Sequence, residues 1–378
     1  MEPQNPCHYR KWMKPRNTRN TRKDSVFPRI PRFNTNRLGE GLGAGFHLDA
    51  ISAWPQTASK WIAVKPNRTI WRWLPFLLLF GSAGLSRSNA QNAMTLSEQF
   101  RRFGESHPIT RLIVAGNQWS FITSGSGDQT VVVLPGGGGD ADSMFPVVSG
   151  LEGHCRVIAT GYPSTVTSSD QIVEGIKAIL DECGVDKACL LGHSLGGAAA
   201  RAFAQRYPER ADSLVIANFA PYSPGRRLLF KALLPIMAHL PRPVVRRAVR
   251  SAFNRLLKDC PKREFWLWYV NQCEMMQPGS KGMRSQVLCL LDFVRKDQPA
   301  AAQTGGWTGR VLILESDHET GFTRRERRDL RALYPAAAVH VFQNAGHASF
   351  ITHTDEFVKT VAGFLAEKRD AETVPKPL

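Results

Sequence analysis

One stretch near the middle of the chain constrains the fold more than any other. Residues 188–191 (ACLL) form a short apolar run, Gly192-His193-Ser194-Leu195-Gly196-Gly197 follow at once, and the Ala-rich residues 198–207 come next and stop at Pro208. A strand that becomes a helix within so few residues needs glycines, because a Cβ beside the turn would meet neighbouring backbone. A serine at the tip of that turn has its hydroxyl pushed out above the sheet, next to the free N–H groups and the positive dipole end of the helix. The G-x-S-x-G spacing alone also fits a tight structural turn. With a strand before it and a helix after it, Ser194 is the candidate nucleophile.

The surrounding pattern is an α/β alternation. Residues 111–115 (RLIVA) and 119–123 (WSFIT), joined by Gly116-Asn117-Gln118, read as a β-hairpin. Residues 130–134 (TVVVL) are an unbroken β-branched run, as in a strand buried on both faces of a parallel sheet. Further runs at 156–159, 188–191, 213–217, 311–314 and 339–342 bring the total to eight strands. Between two of them, Ile172, Ile176, Ile179, Leu180 and Cys183 mark one face of a helix, with Ser168 or Ser169 as N-cap. Another helix, at 355–368, buries Phe357, Val361, Phe364 and Leu365 behind Thr354. Strands alternating with crossover helices predict a mostly parallel, doubly wound sheet. Residues 222–306 break the rhythm and read as a helical cap inserted over the carboxyl edge of that sheet, where open α/β sheets bind ligands.

Charge follows the same divisions. The chain has 378 residues and a net charge of +17, which on its own suggests a polyanion-binding protein. Residues 1–93 hold 15 Lys and Arg against 4 Asp and Glu, and the cap 15 against 5. The rest of 94–378 is therefore slightly acidic, and the excess belongs to a leader and a cap. The leader mixes Pro, Asn and Arg with neither a period of 2 nor one of 3.6, and is expected to be disordered. Its apolar run, residues 73–85 (WLPFLLLFGSAGL), is shorter than the ~20 residues needed to span a bilayer. The basic flank before that run and the small residues after it resemble a secretory signal, although about 70 residues precede it. The expected location is cytoplasmic, or membrane-associated or exported if 65–93 acts as a signal. The alternative expectation is a working protein of 285 residues beginning at Met94. Seven cysteines without a C-x-x-C pair give no zinc spacing, fit a reducing compartment, and leave Cys155 and Cys189 as small hydrophobes in the core.

A serine hydroxyl needs a base, and the base needs an orienting acid. His347, in Asn344-Ala345-Gly346-His347, lies in the turn after the last strand, and Asp317 lies just after residues 311–314. Both turns are at the sheet edge that carries Ser194, in the chain order Ser, Asp, His. Glu315 and Glu319 are the rivals for the acid; Glu315 is still finishing its strand and Glu319 is further into the loop, so Asp317 leads. His154, His318 and His353 read as bystanders. Two backbone donors are needed for an oxyanion: Leu195 after the nucleophile, and Gly137 or Gly138 from the glycine run after residues 130–134. That run lacks the Lys-Ser/Thr of a phosphate-binding loop and does not read G-x-G-x-x-G before a helix, so no nucleotide cofactor is expected. No metal is expected either.

At these residues the sequence resembles the α/β-hydrolase superfamily over essentially all of 94–378. LPGGGG, RVIATGYP, LLGHSLGG, DSLVIANFAP, VLILESD and NAGH occur in the family's order. The resemblance implies a serine hydrolase of the carboxylesterase or lipase type, acting on a small acyl substrate through an acyl-enzyme, and the basic cap adds the expectation that acidic substrates are favoured. A serine at the elbow argues against the epoxide hydrolases and dehalogenases of this fold, which use aspartate there. HPITRLIVAGNQWSF, RVIATGYP and LYP are also similar to maspardin-type members, which implies the alternative of a catalytically weak binding or adaptor protein using its basic cap. The cap's Arg226, Arg227, Lys231, Arg242, Arg246, Arg247 and Arg250 could meet an acidic membrane surface. No nucleic-acid reader motif accompanies the charge, so specific nucleic-acid binding is not expected.

Overall fold

The β-branched run at the centre of the sequence forms the centre of the sheet. In the computed structural model, which describes residues 94–257, 260, 262–277, 280–296 and 307–373, β3 (Thr130–Leu134) is buried along its whole length. The leader and its apolar run lie outside the described residues, as does the end of the cap at 297–306. A short helix, α1 (Leu96–Ser106), precedes the hairpin of β1 (Thr110–Val114) and β2 (Asn117–Ser124). The hairpin turn is Ala115-Gly116, both at positive φ, rather than the expected Gly116–Gln118. Asn117 and Gln118 pair with Val114 and Ile113 instead. Two residues at positive φ match the right-handed twist of the strands, so the tighter turn wins.

After β3 come α2 (Phe145–Leu151), β4 (Arg156–Thr160), α3 (Ser169–Glu182), β5 (Ala188–His193), α4 (Leu195–Arg206) and β6 (Ala211–Ala217). Among the described residues, four α-helices then lie between β6 and the next strand: α5 (Pro224–His239), α6 (Arg242–Leu256), α7 (Arg263–Gln272) and α8 (Gly282–Lys296), with a 3-10 turn at Glu274–Met276. β7 (Arg310–Ser316), α9 (Arg324–Leu333), β8 (Ala338–Phe342), α10 (Ser349–Thr352) and α11 (Thr354–Thr373) complete the order. The strands form one eight-stranded sheet in the order β1-β2-β4-β3-β5-β6-β7-β8, antiparallel at β1–β2 and β2–β4 and parallel throughout the rest. This is the mostly parallel, doubly wound sheet expected from the sequence.

Alternate residues of the parallel strands feed two cores. Val131 and Val133, Cys189 and Leu191, and Leu312 and Leu314 face one side, with α1, α2 and α11. Val132 and Leu134, Leu190, and Ile313 face the other, with α3, α4 and α9. Each fully buried large side chain contributes about 1.5–3 kcal/mol, which is why both faces read as continuous apolar runs. The Cys155 and Cys189 thiols, neither in a disulfide, lie buried inside the first core. α3 begins where expected: the Ser168 hydroxyl accepts from Gln171 N–H. Ser169 has another task, its N–H and hydroxyl donating to Asp292 of α8 at 2.8 and 2.6 Å, which fastens a cap helix to the scaffold. Among the described residues no helix is long and apolar enough to cross a membrane.

The chain leaves β3 for β4 on one side and returns to β5 on the other, so the crevice of the sheet opens at the carboxyl ends of β3 and β5. The glycine run and Ser194 follow those two strand ends.

Candidate active site

Ser194 sits between β5 and α4 with φ +53° and ψ −115°, a region that non-glycine residues rarely occupy and that costs on the order of 1–3 kcal/mol. The turn is held by Ser194 N–H donating to Ala217 O (3.0 Å) and by Gly197 N–H donating to Ser194 O (2.9 Å). A Cβ at Gly192 would run into the backbone of Gly196, and one at Gly196 into the carbonyl of Leu134. The two glycines thus permit a turn tight enough to lift the serine over the sheet edge.

His347 lies 3.1 Å from the Ser194 hydroxyl through Nε2. Its Nδ1 is 2.7 Å from Glu319 Oε1. The carboxylate on this histidine is therefore Glu319, not Asp317. Asp317 accepts backbone hydrogens from His318 (2.8 Å), Asn344 (2.8 Å) and Ala345 (3.0 Å). It binds the loop after β7 to the loop after β8 and has no oxygen turned to the imidazole. Those backbone bonds, led by Asn344, hold the Asp317 carboxyl below its usual range. Two residues further on, the longer Glu319 side chain reaches the ring. Glu315, the other rival, is inside β7 and is tied to Arg327 and Arg331 of α9.

The Glu319 side chain is only 1% exposed. Burial alone would raise its pKa, but the hydrogen bonds from His347, Asn218 and Gly321 outweigh it and keep the carboxyl below its ordinary value. Asn218, just after β6 at φ +46°, donates to Glu319 Oε2 (2.8 Å) and to the Ser316 hydroxyl (2.9 Å). Its own carbonyl oxygen accepts from the Ser349 hydroxyl at 2.7 Å. One buried amide thereby links the loops that carry the acid and the histidine. His193 does similar work from below. It is buried, its Nε2 lies 2.9 Å from the His347 backbone carbonyl, and burial followed by the proximity of His347 holds its pKa down to about 3. The neutral ring donates to that carbonyl and steadies the loop. Sequence reasoning missed both residues. Asn directly after a parallel strand was the available signal for Asn218, whereas nothing in the sequence set His193 apart from any residue at the variable position of the motif.

Ser194, Leu195 and Gly137 share the wall of a cavity of about 690 Å³. Gly138, at φ +82°, is not in that wall, and a Cβ there would run into the Met275 side chain. The scaffold contributes Phe219 and Phe322 to this cavity, and the cap contributes Met237, Val249, Phe253 and Leu290. Among the described residues no cluster of three or more His, Cys, Asp or Glu could hold a metal ion.

An eight-stranded α/β sheet with a serine on a strained strand–helix turn, a histidine on its hydroxyl and a buried acid behind the histidine defines the α/β-hydrolase class. The profile of the alpha/beta hydrolase family matches residues 131–360, and the chain belongs to that family. Among similar proteins, the mouse (Mus musculus) sn-1-specific diacylglycerol lipase is 24% identical over 53% of this chain and 66% of its own length. The chain thus matches just under two thirds of that relative. A 2-hydroxy-6-oxononadienedioate/2-hydroxy-6-oxononatrienedioate hydrolase of Paraburkholderia phymatum is 25% identical over 65% of this chain and 89% of its own. The solved meta-cleavage product hydrolase of Pseudomonas fluorescens shares the fold at a TM-score of 0.55 and 23% identity, covering 68% of this chain and 98% of that one.

Proposed function

We propose that the protein is a serine hydrolase of the carboxylesterase or lipase type that cleaves an ester or related acyl bond through Ser194, His347 and Glu319. The observation that carries this reading is the unbroken line from the Ser194 hydroxyl through both nitrogens of His347 to a buried carboxylate. With Glu319 accepting from Nδ1–H, the lone pair of Nε2 faces the serine. Ser194 Oγ attacks the acyl carbon as Nε2 takes its proton, and the imidazolium gives that proton to the departing alcohol as the acyl-oxygen bond breaks. Water then adds to the acyl-enzyme, its proton passing to Nε2 and on to Ser194 as the acid leaves. The N–H of Leu195, in the first turn of α4, and that of Gly137 are the donors for the oxyanion.

The cavity supports an apolar acyl group or an apolar leaving group, because its walls are mainly aliphatic and aromatic and its volume is in the range of drug-sized ligands. That relatives are hydrolases supports turnover over the maspardin-like binding alternative. A fluorophosphonate probe is expected to label the wild type and not Ser194→Ala, and p-nitrophenyl esters of graded chain length should be hydrolysed only by the wild type. Wild-type protein that is neither labelled nor active on any ester would overturn the reading.

A further inference from the structure

The outer side of the cap carries an aliphatic face that the described residues leave uncovered. On α5, Leu228, Leu229, Ala232, Leu233 and Ile236 are exposed, Leu228 to 72% and Ile236 to 59%. Their spacing of i, i+1, i+4, i+5 and i+8 puts them on a single helix face, and Leu240, at the extended C-cap, is exposed after them. Val244, exposed just past the Pro241 corner, follows this row in sequence. Six of the eleven exposed large hydrophobic residues among the described ones belong to 228–244, so this is a patch and not the usual scatter of single exposed side chains. The opposite face of α5 is also apolar: Leu234, Phe230 and Met237 pack with Leu291 and Val294 of α8. A helix apolar on both sides is expected inside a core or against lipid, and α5 has a core on one side only.

The charge around this face selects the occupant. Residues 224–256 contain eight Lys and Arg and not one Asp or Glu. Lys231 is exposed beside the row, and Arg242, Arg246, Arg247 and Arg250 of α6 line a second hollow of about 640 Å³ with methionines at its base. An aliphatic row flanked along the chain by cations, of which Arg226 is paired with Glu326, matches a bilayer surface bearing anionic phospholipids, where aliphatic groups enter the acyl boundary and Lys and Arg meet phosphates. A protein partner's acidic rim would satisfy the cations but would not by itself need so long an aliphatic row.

We infer that α5 and the start of α6 dock the protein onto an anionic bilayer surface, Leu228–Leu240 entering the interface and the arginines of α6 facing lipid phosphates. The inner faces of the same helices, through Met237, Val245 and Val249, line the cavity above Ser194. Docking therefore leaves the cavity about one helix diameter, roughly 10 Å, from the lipid headgroups. Docking does not depend on turnover; only its use for bringing apolar esters to Ser194 rests on the acyl-hydrolase reading.

The test is co-sedimentation of the full chain carrying Ser194→Ala, so that no lipid is cleaved, with vesicles of phosphatidylcholine alone or with phosphatidylserine. Binding is expected on the serine lipid, falling steeply as sodium chloride is raised. Leu233→Asp with Ile236→Asp should weaken it about tenfold or more, and Lys231→Glu with Arg247→Glu by a similar factor at low salt. All four positions are surface or rim residues, so an unchanged melting temperature and, in the Ser194 background, unchanged hydrolysis of a soluble short-chain ester serve as the fold controls. Three results would overturn the proposal: no binding to either vesicle, binding that survives the double aspartate variant and so comes from the basic leader, or a dimer that this variant converts to monomers with vesicle binding unaltered.

Discussion

The scaffold helices and the cap helices are built on different terms. α1, α3 and α9 each begin on a side chain that accepts from the helix backbone: Thr95, Ser168 and, in a full capping box, Thr323. α5, α6 and α7 of the cap begin without such a bond, as do α2, α4 and α10 of the scaffold. A capped helix has its start fixed locally, at a benefit of about 0.5–2 kcal/mol. An uncapped one is placed by what it packs against. Three scaffold helices thus have their starts fixed by single residues, α4 is placed instead by the glycine turn at Ser194, and the cap helices are specified by surfaces, one turned to the cavity and one to the outside. The scaffold is also the slightly acidic part of the chain and the cap the basic one. Catalytic geometry and the choice of what reaches it should therefore respond to different substitutions.

The largest separation is expected within the scaffold itself. Glu319→Gln should lower kcat on a soluble ester by roughly 10³–10⁴-fold, since an uncharged amide does not stabilise the imidazolium and can turn its NH2 to Nδ1, favouring the wrong tautomer. Asp317→Asn should lower it by less than about tenfold while lowering the melting temperature, because the amide nitrogen that replaces Oδ2 cannot accept from Asn344 N–H. Equal losses of kcat in the two variants would return Asp317 to contention. A smaller effect is expected in the cap: Val249→Trp narrows the cavity and should reduce kcat/KM for long-chain esters about tenfold or more relative to short ones, with labelling at Ser194 intact. An unchanged chain-length profile would mean that this wall does not meet the acyl group.

The smallest effect is in pH. An unfolded histidine takes its proton near 6.5, but folded His193 does so only near 3, so across that window the unfolded state binds more protons and stability falls with acid. Glu319, whose folded carboxyl lies below its ordinary value, contributes stability above that ordinary value that is lost as pH falls towards the folded one. His193→Asn should reduce proton uptake on acid unfolding by up to about one proton between pH 6.5 and 3, measured from the pH dependence of denaturant midpoints. An unaltered slope would show that the ring is not held neutral.

Where the sequence was explicit, the reason was periodicity or a steric demand. Residues 130–134 could only be a strand buried on both sides, Ser168 could cap, and the glycines around Ser194 left one kind of turn. The acid is a different kind of information. Asp317 and Glu319 offer the same functional group two residues apart on one loop, and no period distinguishes them. What decides is that the N–H groups of Asn344 and Ala345 need an acceptor, a demand visible only when the loops after β7 and β8 lie side by side. The outward row on α5 was hidden for the opposite reason: its neighbours are apolar as well, so composition could not say which face α8 would cover.

Two carboxylates in tandem share the fastening of one loop. Asp317 ties it to the loop after β8, while Glu319 itself accepts from the Gly321 N–H and from the Asn218 amide. Glu319→Asp would draw the carboxylate back by one carbon–carbon bond, about 1.5 Å, away from the imidazole and from both of those donors, while the bonds of Asp317 stay. A reagent that is also one of its own fastenings cannot be shortened by a methylene without loosening the loop that holds it.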